Sequence, residues 1–562
     1  MSYDLKPLHA PRLAGGSLRL VVWLLESRVF GGLLRSVLYR KVGITSFRGK
    51  LVDEPPTLRP FVDPDQIQCA VVSVSAASIE TVALTPTRRR GFQPPTIHDF
   101  LHAYRNGTTD PEQVAHKLID AISDSNSSKL PLRAIIQLDP GDLMRQARES
   151  ALRWRSGSPL SVMDGVPVAV KDELDQVPYP TRAGTTFLGE SIATRDATAV
   201  ARLRAAGALL IGKANMHEIG IGVTGHNPHH GAARNPHDPS RHTGGSSSGS
   251  AAAVAAGLCP VALGADGGGS IRIPAAFCGV VGLKPTFGRV SEQGAFPLCW
   301  SLAHIGPIAS TARDAAITYA LIAGQDPAAP GTRGQPPVSI DGIDRCDLKG
   351  VRLGVFDPWF RDASPEVSEC CSRMLERFQE AGAEIVPVVI DDLEFIRVAH
   401  LVSIVSEMAQ SMSRYHKDHG KDFSHDTRMN LALARHLTSS DYIQAQRVRT
   451  RAMAIFRRAF ENVDAILTPT TGCTAPRIQS DAMRGGESDL ALLSEIMRFV
   501  VAGNLTGLPA ISFPAGHDPA GLPVGMQAIG RWWDEPVLLR IAAVAEHFAE
   551  RRKPAIHYSL LD

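Results

Sequence analysis

The sequence predicts an α/β fold, a mixed twisted β-sheet covered by helices on both faces, with a helical appendage at the N-terminus. Three observations carry this expectation. Short, wholly apolar runs at Val166–Val170, Ala208–Ile211 and Val261–Gly264 read as strands buried on both faces. Helical patterns at Asp196–Gly207 and Ser250–Gly257 alternate with them, as in a sheet packed between helices. Ahead of all this, Leu18–Lys41 carries a separate apolar and basic pattern, followed by a proline-rich stretch.

Within Leu18–Lys41 the longest uncharged runs, Leu20–Leu25 and Val29–Leu34, are six residues each. A spanning helix needs about 20 apolar residues, so this segment is not expected to cross a bilayer. Five basic residues against one acidic, with Trp23 and Phe30, suit a helix lying at a membrane interface. Leu25, Val29 and Leu33 fall off the main apolar stripe, and Gly31-Gly32 is where the segment would divide. Packing on the protein's own core or on a second subunit explains the same pattern equally well.

Residues 48–96 hold Pro55, Pro56, Pro60, Pro64, Pro94 and Pro95 and read as an extended connection. Their β-prone run Val71–Ser75 is too short to form a domain. From Thr96 the pattern is regular. Pro111–Ala121 reads as a helix behind an Asp110 cap, with proline at its first position, and Pro140–Ser156 as another. The proline- and glycine-rich Asp326–Arg345 is a surface connection. Val351–Phe356 follows as a strand and Pro365–Ala381 as a helix. Glu394–Met412, Ser439–Phe460 and Ser494–Val501 are further helices, and Ala510–Pro514 returns to the sheet. The expected division is an N-terminal helical contact segment and linker, 1–95, and a core, 96–562.

Composition narrows the class. The 562 residues are 44% hydrophobic and 21% charged, ample for a large core. A net charge of +2 is too balanced for a nucleic-acid binder. Eight scattered cysteines form no Cys-x-x-Cys pair and no secreted framework, so a reducing, intracellular compartment is expected. The polar start, Met1-Ser-Tyr-Asp-Leu-Lys6, leads to no cleavage site of the secretory kind.

The chemistry concentrates in two glycine-rich stretches, Thr243-Gly-Gly-Ser-Ser-Ser-Gly-Ser250 and Gly264-Ala-Asp-Gly-Gly-Gly-Ser-Ile-Arg-Ile-Pro274, with an Ala-rich helical run between them. Glycine clusters let the backbone approach a substrate and aim several N–H groups at one point. A serine there becomes a nucleophile if a base takes its proton. Lys171, closing the apolar strand Val166-Pro-Val-Ala-Val-Lys-Asp172, is the candidate base. At its ordinary value of about 10.4 a lysine is charged and useless for this. Burial at a strand end disfavours the ammonium form and brings the neutral amine within reach.

These motifs resemble the amidase signature family, whose members use a Ser-Ser-Lys triad with one serine on a cis peptide bond. The resemblance implies Ser270 as nucleophile, Ser246 as the bridging cis-serine and Lys171 as base. It also implies that Gly267, Gly268, Gly269 and Ser270 supply the amides of an oxyanion hole. Asp266 and Arg272 flank the loop, and a scaffolding ion pair is their expected role. Asn215-Met-His-Glu-Ile-Gly-Ile-Gly-Val-Thr-Gly-His-Asn-Pro228, Gly282-Leu-Lys-Pro-Thr-Phe-Gly-Arg289 and Asn504-Leu-Thr-Gly-Leu-Pro509 are similar to the plant-type fatty acid amide hydrolases within that family. The likeness runs from about Ala134 to the end and more loosely over the first sixty residues.

The resemblance therefore implies a serine amidohydrolase for N-acyl amides such as N-acylethanolamines, needing no metal and no cofactor. Phe395–Met412, Ile496–Val501 and the N-terminal helices are candidates to line an acyl channel. A homodimer, and a peripheral seat on the endoplasmic reticulum or plasma membrane, are further expectations; a cytoplasmic location is the alternative. An amidase for small or aryl amides is the rival enzyme, and a tRNA-dependent amidotransferase A subunit needs partner subunits. From another class, a membrane-associated binding protein on a dead core expects a lost triad residue, yet all three are present. His217, His226, His229, His230, His237 and His242 crowd one region, but His217-Glu-Ile-Gly-Ile221 lacks the second histidine of a zinc-protease helix. Cys278 and Cys299 lie near the motif and are expected as small core residues.

Overall fold

A computed structural model describes residues 3–63, 73–86 and 90–562. The main sheet comprises β1 (Ile135–Gln137), β2 (Pro167–Lys171), β3 (Leu209–Ala214), β4 (Val261–Ala265), β5 (Val281–Lys284) and β6 (Ile305–Ala309). It continues with β7 (Arg352–Val355), β8 (Glu384–Pro387), β9 (Ala465–Pro469), β10 (Ala510–His517) and β11 (Pro523–Gly530). The order across the sheet is β8-β7-β9-β11-β10-β5-β6-β4-β2-β3-β1. β2 runs parallel to β3 and β4, while β4 and β6 are antiparallel, so the sheet is mixed as expected. β2, β3 and β4 are buried along their whole length, which is why they read as unbroken apolar runs.

Helices cover this sheet. Ser248–Ala255, almost all small residues and entirely buried, packs against β4, β2 and β6, where only alanine-sized side chains fit. The Asp110 carboxylate caps the helix Pro111–Ser127 by accepting from the Gln113 amide. Leu393–Ser411 and Ser439–Ala459 pack on each other. The single helix expected at Ser494–Val501 is instead two, Leu490–Met497 and Val501–Thr506. The break sits at Phe499, which is fully buried and packs its ring on Trp359 at 5.9 Å between centroids.

The N-terminal segment also divides, at an elbow before the glycine pair: α1 is Gly15–Glu26 and α2 is Gly31–Lys41. The Ser27 hydroxyl accepts from the Val29 and Phe30 amides and so turns the chain. Leu25, expected off the apolar stripe, is buried. It joins Leu18 and Val22 against Met429 and Ala432 of the helix His425–Ala434. Val29 and Leu33 do face solvent, at 79% and 77% exposure. Ahead of α1, Leu13-Ala14 pairs with Glu487-Ser488, and Arg12 bridges Glu487 and Asp481.

The helix Ile44–Arg48 ends where the expected extended connection begins, and that stretch itself contains a second helix, Ala76–Leu84. Ser75, placed at the end of a β-prone run, accepts from the Ser78 amide and caps the second helix instead. Pro64, Cys69 and the start of that run at Val71 lie outside the described residues.

Candidate active site

Lys171 closes β2 and Ala265 closes β4, so both reach the carboxyl edge of neighbouring parallel strands, where open α/β sheets place their sites. Lys171 is 1% exposed. Its Nζ lies 2.8 Å from Ser246 Oγ and 3.1 Å from the Ala265 carbonyl. A third contact was absent from the sequence reading: Glu173 Oε2 sits 2.7 Å from the same nitrogen. Glu173 lies in the turn that follows β2, where the Leu174 amide donates back to the Lys171 carbonyl at 3.0 Å.

Ser246 follows a cis peptide bond from Gly245, as the resemblance implied. Its loop is pinned at several points. The Ser246 carbonyl accepts from the amides of His217 and Ser248, at 3.1 and 2.9 Å. The Ser247 amide reaches the Ser270 carbonyl at 3.2 Å, tying the two glycine-rich stretches together. A side chain at Gly245 would meet the Gly225 amide at 2.6 Å, so close packing of backbones demands glycine there.

Of the four expected oxyanion-hole amides, three remain candidates. Gly269 donates its N–H to Asp266 Oδ1 at 2.6 Å and is thereby occupied. Its φ of +110° and the crowding by Ile273 and Val500 still require glycine. Gly267, Gly268 and Ser270 border the cavity that also contains Lys171, Glu173 and Ser246. His400 Nε2 donates to the Gly267 carbonyl at 2.8 Å, a contact with no signal in the sequence. Burial pushes His400 down to about 4, so at neutral pH it is an uncharged imidazole with its proton on that nitrogen.

Asp266 and Arg272 form the scaffold expected of them. Arg272 is fully buried. It meets Asp266 through Nε and Nη2, and its Nη1 and Nη2 donate to Gln527 and Asn504, each at 2.6 Å. Burial alone would raise the Asp266 carboxyl; the Arg272 guanidinium outweighs it and holds the group well below the usual carboxylate range.

The cavity measures about 140 Å³. Beyond the polar floor its walls are apolar, with Leu298, Ile404, Met408, Leu493, Met497 and Val501 among them. Two expected stretches thus contribute, Phe395–Met412 and Ile496–Val501. From the N-terminal region the contributors are Leu5, Lys6 and Leu8, ahead of α1, and Val42 just after α2. Cys299 lines the wall with its thiol pushed well above the ordinary range by burial; Cys278 is buried and does not border the cavity.

The histidines part ways. His229 pairs with Glu218 at 2.6 Å and His230 with the Thr185 carbonyl at 3.1 Å, while His237 packs beside Cys278. His217, His226 and His242 are buried behind the Ser246 loop near two carboxylates. His217 Nε2 is 3.3 Å from Asp426 and His242 Nε2 is 3.7 Å from Glu487. Among the described residues no group of three or more potential ligands has the geometry to hold a metal ion.

A buried lysine hydrogen-bonded to a serine of a glycine-rich loop, at the carboxyl edge of a mixed sheet, is an arrangement suited to activating a serine. The family model described as Amidase matches residues 117–539, and the chain belongs to that family and is a hydrolase acting on amides. It is 41% identical over 588 aligned residues to the fatty acid amide hydrolase of Oryza sativa subsp. indica, covering 100% of this chain and 96% of that one. The fatty acid amide hydrolase of Arabidopsis thaliana is also 41% identical, over 591 residues, covering 100% and 97%. Among solved structures, the native peptide amidase from Stenotrophomonas maltophilia is similar at a TM-score of 0.70 and 30% identity, covering 82% of this chain and 98% of that one.

Proposed function

We propose that this amidase cleaves N-acyl amides with long apolar chains, N-acylethanolamines among them, to a fatty acid and an amine. The observation that carries the reading is the Lys171–Ser246 contact opening into a cavity with apolar walls. In this reading the Ser270 Oγ attacks the amide carbonyl as its proton passes to Ser246, whose own proton passes to Lys171. The negative oxygen of the tetrahedral intermediate faces the amides of Gly267, Gly268 and Ser270. Collapse breaks the C–N bond, and the reversed relay protonates the departing amine. Water then hydrolyses the acyl-enzyme through the same groups. The names of the two plant relatives support the long acyl chain. A hydrolysis panel from acetamide to a long-chain ethanolamide tests it. Rates per enzyme that rise with chain length support the reading, and a preference for short or aryl amides overturns it.

The N-terminal hairpin supports a second part of the proposal, peripheral contact with a membrane. No described helix is long and apolar enough to cross one. Trp23, Val29, Phe30 and Leu33 nonetheless stand out to solvent at 53–79% exposure, beside Arg19, Arg28 and Arg40. Exposed aromatic and aliphatic side chains among cations fit an interfacial helix. The triple replacement Trp23→Asn, Phe30→Asn, Leu33→Asn should abolish flotation with vesicles while sparing a short soluble amide substrate. Unchanged flotation would remove the membrane role.

A further inference from the structure

At the foot of the hairpin a cleft of about 760 Å³ opens between the α1–α2 elbow, α2 and the segment 416–436. Six cations line it: Arg28, Arg35, Lys417, Lys421, Arg428 and Arg435. Three carboxylates oppose them, and two are engaged locally. Glu26 accepts from Arg428 at 2.6 Å, and Asp422 pairs with His419 at 2.9 Å. Other cations have neutral partners: Arg435 donates to His416 Nε2 at 2.9 Å, and Arg35 reaches the Leu25 carbonyl at 3.4 Å.

The surroundings register this excess of positive charge. Burial and then Arg435 push His416 below its ordinary range, and burial, Arg35 and Arg435 do the same to His436. Neither imidazole adds to the charge of the cleft at neutral pH, so the cleft's positive potential rests on permanent cations. Its rim is the elbow itself, where Ser27 and Arg28 turn inward beside Val29 and Phe30, which face solvent. A cationic cleft bordered by exposed apolar side chains is complementary to an amphiphile with an anionic head. A soluble anion would leave the apolar rim unused, and a bare apolar surface would leave the arginines unused.

We propose that this cleft binds the phosphate headgroup of an anionic membrane phospholipid, seating the α1–α2 elbow in the acyl layer next to it. The phosphate oxygens would accept from the guanidiniums of Arg35 and Arg435, with Lys421 as a further charge, while Val29, Phe30 and Leu33 enter the hydrocarbon edge. The proposal rests on the membrane reading above and names the lipid chemistry that reading left open. The cleft is separate from the catalytic cavity and shares no lining residue with it.

The test uses the full chain and vesicles of phosphatidylcholine, with and without phosphatidic acid. The double variant Arg35→Gln, Arg435→Gln should bind the phosphatidic acid vesicles more than about 30-fold more weakly, because two basic side chains at an anionic surface already account for about 30-fold and the cleft adds direct hydrogen bonds to the phosphate. A charge-matched control, Arg19→Gln with Arg40→Gln, should lose clearly less. Turnover of a short soluble amide should be unchanged in both, which also shows that they fold. Equal losses in variant and control would reduce the cleft to part of a diffuse charge field and overturn the proposal. Equal binding of the double variant and the intact chain would also overturn it. If the Trp23, Phe30 and Leu33 variant still loses flotation in that case, the membrane reading survives alone. Calorimetric binding of inorganic phosphate that the double variant abolishes, without any change in vesicle binding, would assign the cleft to a soluble phosphate. A change in sedimentation mass caused by the double variant would assign it to a second copy of the chain.

Discussion

His400 Nε2 donates to the carbonyl of Gly267 at 2.8 Å. Because a trans peptide points its C=O and the following N–H in opposite directions, this bond aims the Gly268 amide away from His400. The helix Leu393–Ser411 thus fixes one candidate donor of the oxyanion hole, although it lies more than a hundred residues further along the chain.

His400→Ala should therefore act on the chemical step. Removing an oxyanion donor outright costs about 10²–10³ in kcat, so loosening one should cost roughly tenfold or more. KM for a short amide should change little, and His400→Gln, which keeps a donor, should recover part of the loss. Equal falls in kcat and thermal stability, with no rescue by Gln, would make His400 a packing residue.

Ser270→Ala should abolish both turnover and labelling by a fluorophosphonate probe, with the circular dichroism spectrum unchanged. Label found on Ser246 or Ser248 of the intact protein would move the nucleophile.

Lys171→Ala should lose several orders of magnitude on amides. In the intact enzyme activity should rise with pH as the relay gives up its protons. Glu173→Gln removes the carboxylate in contact with the Lys171 Nζ, so its pH–rate profile should differ from that of the intact enzyme. A profile that Glu173→Gln leaves in place would exclude this carboxylate from the relay.

Glu292 offers a stability test. Burial pushes its carboxyl from 4.5 up to about 8; Arg59 opposes this, while Glu173 and Glu407 add to it. The folded state therefore holds a proton that the unfolded chain releases, and folding takes one up between pH 4.5 and about 8. Stability from this group is present at low pH and is lost as pH rises through that window. The melting temperature of Glu292→Gln should gain on that of the intact protein from pH 5 to pH 8 and hold its lead above. A constant difference across that range would refute the assignment.

The polar floor of the cavity was legible because its parts are local words in the chain. Lys171 ends an apolar strand, and Ser246, Gly268 and Ser270 sit in glycine-rich stretches whose composition already states a need for close backbone approach. His400 and Gln527 were not legible, since each reaches the site from a remote element and carries no local pattern; Asn504 opens a motif of the resemblance, but nothing in that motif showed that it would bind Arg272. Strands hid for related reasons. β5 ends in Lys284, which looks like a surface residue yet is fully buried, its Nζ donating to the Leu508 and Pro285 carbonyls. β11 contains Pro523, Gly525 and Gln527, a poor strand by propensity; Gln527 is there to bind Arg272. The elbow of the hairpin was misplaced because Ser27, through its hydroxyl, turns the chain before the glycines can.

The first residues of the chain are working parts of the enzyme's interior. Leu5 and Leu8 face the cavity, Tyr3 hydrogen-bonds Asp362, and Arg12 clasps Glu487. A purification tag fused ahead of Tyr3 would pull directly on a wall of that cavity. Preparations tagged at opposite ends can therefore rank the same substrates differently, and a chain-length preference measured on an N-terminal fusion describes the fusion.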